Sequence, residues 1–114
     1  MYTIYHNPRC SKSRTTLELL KGKVSDSDIK IVEYLKDSPS ESEIKEILAK
    51  LNFSAIELIR VKEADFTEFK NKTLTEDEYI NLMVKYPKLI ERPIVIHGDK
   101  AIIGRPPEKV LTLV

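Results

Sequence analysis

Two short stretches of alternating apolar residues, Tyr2–His6 and Ile29–Leu35, flank one stretch of helical period. That arrangement constrains the fold more than any other feature of the chain. From about Ser11 to Lys21, Leu17 and Leu20 fall at helical spacing with Leu19 beside them, and Gly22 is placed to end the helix. Two strands joined through one helix cannot pair as a hairpin; the crossover makes them parallel neighbours. Near the other end, Ile94-Val95-Ile96 and Ala101-Ile102-Ile103 are short apolar runs. Between them His97-Gly98-Asp99-Lys100 contains Gly-Asp, a hairpin signal, so this second pair is antiparallel. Pro106-Pro107-Glu108 suits the first turn of a last helix through about Leu113.

The middle of the chain reads as helical. Ser40-x-x-Glu43 is a capping-box pattern opening a helix to about Leu51, with Ile44, Ile47, Leu48 and Leu51 on one face. Ser54-x-x-Glu57 repeats the pattern and predicts a helix ending near Arg60. Thr75-x-x-Glu78 predicts another, bearing Tyr79, Leu82, Met83 and Tyr86 and stopped by Pro87. The charged stretch from Val61 to Thr73 has no readable period. The order is therefore β-α-β, a helical stretch, then β-β-α. This is an α/β class chain with a thioredoxin-like, mixed four-stranded sheet flanked by helices. A helical insertion over about 40–87 separates the βαβ and ββα halves of a single domain, 1–114.

Composition narrows the function classes. The 114 residues suffice for one core. Nineteen Lys and Arg against 18 Asp and Glu give a net charge of +1, with no general pull toward nucleic acid or membrane. One cysteine forbids an intramolecular disulfide and a cysteine-rich metal site, and the two histidines, His6 and His97, lie far apart. No metal is expected. A lone thiol with no N-terminal secretion signal and no apolar run of about 20 residues suits a cytoplasmic protein.

That cysteine, Cys10, lies in Tyr5-His6-Asn7-Pro8-Arg9-Cys10-Ser11-Lys12-Ser13-Arg14. Asn7-Pro8 marks a turn, so Cys10 falls where a strand hands over to a helix N-terminus. Unpaired N–H groups and the helix dipole there favour a thiolate, and Arg9, Lys12 and Arg14 add positive charge. Such surroundings bring a cysteine from about 8.5 to roughly 3.5–7.5. The competing reading is a buried, inert thiol, against which the flanks are polar and basic. Ser13 either caps the helix or donates its hydroxyl to the thiolate.

Four segments stand out in order along the chain: Ile4 to Arg14, Leu58-Ile59-Arg60, Glu91-Arg92-Pro93-Ile94-Val95, and Gly104-Arg105-Pro106-Pro107-Glu108. In these segments and their order the chain resembles the ArsC family of glutathione- and glutaredoxin-coupled arsenate reductases. The resemblance implies that Cys10 attacks arsenate and that Arg60, Arg92 and Arg105 bind the oxyanion. It implies supporting roles for His6, as a charge or orientation partner, for Ser13, and for Pro93, expected to follow a cis peptide bond facing Cys10. The four catalytic residues should then converge on one oxyanion-sized pocket. Glutathione would serve as co-substrate and glutaredoxin as partner, with no bound cofactor, in a monomer. Arg9 departs from the small residue found beside the cysteine in plasmid-borne members.

Without the family, each arginine also admits a purely structural role. Arg60 could answer a helix dipole at its C-terminus, and Arg92 and Arg105 could be surface residues beside prolines. Two alternative functions share the architecture. One is a glutathione-dependent thiol oxidoreductase without arsenate activity, for which three arginines are superfluous. The other is an Spx-like regulator binding RNA polymerase, and many such regulators carry C-x-x-C where this chain has Cys10-x-x-Ser13. His97, in the hairpin, is expected to face solvent.

Overall fold

Strand β1 spans Tyr2–Tyr5, helix α1 Ser11–Lys21 and strand β2 Ile29–Val32 in the computed structural model, which describes residues 1–114. Helices α2, Glu41–Leu51, and α3, Glu76–Lys85, follow, then strands β3, Ile94–His97, and β4, Lys100–Ile103. The chain divides into two compact units, one made of Met1–Asp37 with Arg92–Val114 and the other of Ser38–Glu91.

The first unit holds the sheet, in the order β2-β1-β3-β4. β1 and β2 are parallel, with Ile4 opposite Ile31, as the intervening helix requires. β1 and β3 are antiparallel, with Tyr5 opposite Ile94, and β3 and β4 form the hairpin. Its two-residue connection is Gly98-Asp99, and Gly98 sits at φ +63°, a conformation glycine adopts without steric cost. The core of this unit is Ile4, Leu20, Val95 and Val110, all fully buried, with Leu17, Ile29 and Ile102 packed around them. Burying each such side chain contributes about 1.5–3 kcal/mol. Val110 arrives on the segment Pro107–Leu113, which packs on α1. That segment is a 3-10 helix, where the sequence predicts an ordinary one.

Other boundaries differ from the sequence reading in informative ways. β1 stops at Tyr5 and β2 at Val32; the bond from His6 N–H to the Val32 carbonyl is the last of the parallel ladder, and the chain then enters the Asn7-Pro8 turn. Gly22 does end α1, but at φ −73°, without the left-handed turn that makes glycine necessary. His97 is half-buried, stacked on Tyr2 with ring centres 4.0 Å apart.

In the second unit the capping boxes form as expected. Ser40 Oγ accepts from Glu43 N–H while Glu43 accepts from Ser40 N–H, and Thr75 and Glu78 do the same. α2 buries Ile44, Ile47 and Leu48 and packs on α3. Asn52, in the left-handed conformation at φ 58°, terminates it. Ser54 opens only one 3-10 turn, Ala55–Leu58. The expected helix ends there because Ile59 pairs with Ile90 in an isolated antiparallel bridge, whose geometry is extended. The stretch with no readable period contains another 3-10 helix, Ala64–Phe69, anchored by buried Phe66.

Candidate active site

Cys10 is the N-cap residue of α1, in extended conformation at φ −95°, ψ 121°. Its N–H bonds the Asn7 carbonyl at 3.0 Å, closing the turn, and its carbonyl accepts from Arg14 N–H, starting the helix. The side chain is half-buried. Burial pushes the thiol up. The backbone N–H of Ser13, the hydrogen bond and charge of the Arg92 guanidinium, and the backbone N–H of Lys12 outweigh it, so the pKa lies below that of an ordinary cysteine.

The source of the positive charge is thus not the one expected from the flanking residues. Arg9 and Lys12 point to solvent, and the Arg14 guanidinium is engaged with the Pro8 carbonyl at 2.9 Å. Solvent screens such exposed charges. Arg92, 82 positions away in sequence, is the arginine that acts on the sulfur.

Ser13 also has a different role from either one offered by its position. It is fully buried. Its hydroxyl lies 2.6 Å from His6 Nδ1 and accepts from Asn7 N–H at 3.1 Å, so it ties the end of β1 to the first turn of α1. What Ser13 presents to the sulfur is its backbone N–H. His6 is buried as well, and that burial lowers its pKa; Glu33 opposes the shift, while Arg14 and Lys21 add to it. A neutral imidazole is therefore the favoured form at neutral pH. Asn7, which in the sequence carries only a turn signal, organises this loop through three groups. Its N–H meets Ser13, its carbonyl meets Cys10, and its Oδ1 accepts from Arg9 N–H.

Arg92 precedes β3 and Arg105 follows β4, so the antiparallel pairing of these strands brings the two arginines together. Each precedes a proline, and both peptide bonds, Arg92–Pro93 and Arg105–Pro106, are cis; the first agrees with the sequence expectation and the second adds to it. Arg105 Nε donates to the Arg92 carbonyl at 2.8 Å, so one arginine braces the backbone of the other. Gly104 makes this closeness possible. Its N–H donates to the Pro93 carbonyl, and a Cβ there would lie 2.5 Å from Thr16 Oγ1 and 2.8 Å from Pro93 Cγ. The Gly104-Arg105-Pro106 run is the sequence signal for this close approach.

The charges of the three arginines differ in how they are compensated. Arg60 belongs to the second unit, after the bridge residue Ile59 rather than at a helix end. It bonds Glu63 at 2.9 Å and lies 3.6 Å from Glu91. The remaining ion pairs involve Lys36 and Lys45, so neither Arg92 nor Arg105 is paired with a carboxylate. Arg92 Nε is buried and has no hydrogen-bond partner in the protein. Donors without acceptors beside a thiol of lowered pKa form a place for an anion. No group of three or more His, Cys, Asp or Glu side chains could hold a metal ion, and no helix is long and apolar enough to cross a membrane.

Comparison with known proteins gives this site a context. The chain is 46% identical over 114 residues to YfgD, an uncharacterized protein of Escherichia coli K12, with 97% of this chain and 94% of that one covered. It is 42% identical over 113 residues to an arsenate reductase of Haemophilus influenzae, covering 96% of each. Its structure superposes on an arsenate reductase from Vibrio cholerae with a TM-score of 0.92 and 39% identity, covering 99% of this chain and 97% of that one. The ArsC family model matches residues 5–113. That span contains the cysteine turn and both arginine–proline turns, and the chain belongs to the ArsC family, with its thioredoxin-like fold.

Proposed function

We propose that this protein reduces arsenate to arsenite, with Cys10 as nucleophile and glutathione and glutaredoxin as reductants. The observation that carries the reading is the pairing of a thiol of lowered pKa with the Arg92 guanidinium, whose buried Nε lacks an acceptor. A tetrahedral oxyanion supplies that acceptor. Arginine suits the task because its planar fork holds two oxygens at once. Relatives named arsenate reductases, at 41–42% identity, point to the same substrate.

Attack brings a thiolate toward an anion, and the guanidiniums of Arg92 and Arg105 offset the repulsion. A Cys10–arsenic bond forms as one arsenate oxygen leaves as water. Glutathione then adds to arsenic, expelling a second oxygen as water. The two sulfurs couple, arsenic takes the electron pair and falls from the +5 to the +3 state, and hydration releases arsenite. Cys10 is left in a mixed disulfide with glutathione. A glutaredoxin thiol attacks the glutathione sulfur and frees Cys10. With one cysteine in the chain, the second electron-donating thiol has to come from outside. Reduced glutathione is plentiful in a reducing compartment, so the cytoplasm is the expected site of action.

The test is arsenate-dependent NADPH oxidation with glutathione, glutathione reductase and glutaredoxin, run beside an assay in which thioredoxin and its reductase replace them. Turnover only in the first supports the proposal. Turnover only in the second replaces the reductant. If arsenate is inert in both while Cys10 still exchanges glutathione, the thiol oxidoreductase reading takes over.

A further inference from the structure

A cavity of about 210 Å³ opens beside the cysteine turn, between the segment His6–Arg9 and the chain that follows β2. The two walls are tied together by the 2.8 Å bond from His6 N–H to the Val32 carbonyl. Arg9 and Lys36 put two cations on its lining, Glu33 puts one anion between them in sequence, and Pro8 and Leu35 supply apolar surface. Leu35 is 41% exposed and lines this opening.

We propose that this cavity seats the γ-glutamyl end of glutathione, with Glu33 taking its ammonium and Arg9 and Lys36 its α-carboxylate. The proposal rests on the reading above that glutathione is the reductant. Three features support it. The γ-glutamyl end carries one ammonium and one carboxylate, and the lining offers one carboxylate to the first and two cations to the second. The volume lies below the roughly 300–1,000 Å³ of sites that engulf a drug-sized ligand, so one end of the tripeptide enters and the central thiol stays outside. One wall of the cavity is the turn that carries Cys10, whose N–H bonds the carbonyl of the lining residue Asn7. Arg9 thereby acquires a role that its exposed side chain does not have in tuning the thiol.

The Lys36–Glu33 pair, 3.7 Å apart, does not compete strongly with such a ligand. At 82% and 43% side-chain exposure it is a pair of the kind that contributes little.

The probe is S-methylglutathione, which cannot react, added to the isotope-labelled protein without arsenate. Saturable amide shifts centred on Arg9, Glu33, Leu35 and Lys36 support the site. So do Arg9→Gln, Lys36→Gln and Glu33→Gln variants that each bind about three- to tenfold more weakly, the scale of one charge-assisted contact at a partly exposed site. S-methyl-cysteinylglycine, which lacks the γ-glutamyl group, should bind more weakly still. Shifts confined to other regions, no saturation, or variants that bind like the parent protein overturn the proposal. Binding at this cavity by a protein inert to arsenate leaves the site standing and removes the arsenate reading. Glutathione-driven arsenate reduction with no shifts here does the reverse.

Discussion

Gly104→Ala should destabilise the protein through one added methyl group. The new Cβ would meet Thr16 Oγ1 at 2.5 Å, Pro93 Cγ at 2.8 Å and Thr16 Cγ2 at 3.0 Å. None of these atoms can swing aside. Thr16 is β-branched on a helix, fully buried, and its hydroxyl donates to the Lys12 carbonyl at 2.7 Å; Pro93 is a closed ring. The backbone has to move, and overpacking of this kind costs about 1–3 kcal/mol. Gly104 is not in the positive-φ region, so alanine regains about 0.4–1 kcal/mol by restricting the unfolded chain. A net loss of about 1–2 kcal/mol remains. With an unfolding entropy of about 2.1 cal/mol/K per residue over 114 residues, that loss lowers Tm by roughly 4–8 °C. Calorimetry of the parent, Gly104→Ala, Thr16→Ala and the double variant measures it. Thr16→Ala removes two of the three close atoms, so the double variant should lose at least about 0.5 kcal/mol less than the two single losses combined. Gly104→Ala melting within a degree of the parent would refute the argument. Equal additivity in the double variant would show that Thr16 is not the obstacle.

Further outcomes concern the site itself. The Cys10 thiolate absorbance should titrate below the ordinary midpoint of about 8.5, and Arg92→Ala should raise that midpoint, since a hydrogen bond and a charge are lost together. Because the folded value is the lower one, the thiolate stabilises the fold fully above the unfolded value and loses that contribution as pH falls through the folded one. Denaturant curves of the parent and Cys10→Ala at both ends of that window check the sign. Cys10→Ser should abolish arsenate reduction, and Arg92→Ala or Arg105→Ala should each cost on the order of 10²–10³ in rate. Arg60→Ala should cost less, its charge being already opposed by Glu63 and Glu91; parent-like rates in the Arg92 and Arg105 variants would remove the oxyanion site. Ser13→Ala should leave the Cys10 midpoint nearly unchanged, because the backbone N–H remains. It should cost about 1–3 kcal/mol of stability by stranding Asn7 N–H and His6 Nδ1. A large rise in the midpoint would return the hydroxyl to the sulfur.

The parts of this protein legible in its sequence are those written by neighbours along the chain. The capping boxes at Ser40 and Thr75, the Gly98-Asp99 hairpin and the strand–turn–helix around Cys10 all depend on residues within four positions of each other. From these the sheet's parallel and antiparallel pairs follow, because crossovers and hairpins permit few arrangements. Where sequence and structure part, distant partners decide. The Ser54 pattern is a genuine capping box, yet the helix lasts one turn, because Ile59 is claimed by Ile90 from 31 positions away. Counting basic residues near Cys10 in sequence finds Arg9, Lys12 and Arg14, which solvent or the Pro8 carbonyl occupies. The guanidinium that lowers the thiol pKa comes from the edge of β3. Ser13 shows the same limit at short range. Its spacing from Cys10 suggests a hydroxyl aimed at the sulfur, but a buried imidazole and an amide from Asn7 compete for that hydroxyl and hold it. A helix N-terminus already supplies backbone N–H groups to an N-cap side chain. The serine is therefore free to fasten the strand to the helix, and the rigidity of that joint is what keeps the sulfur at the helix end where Arg92 meets it.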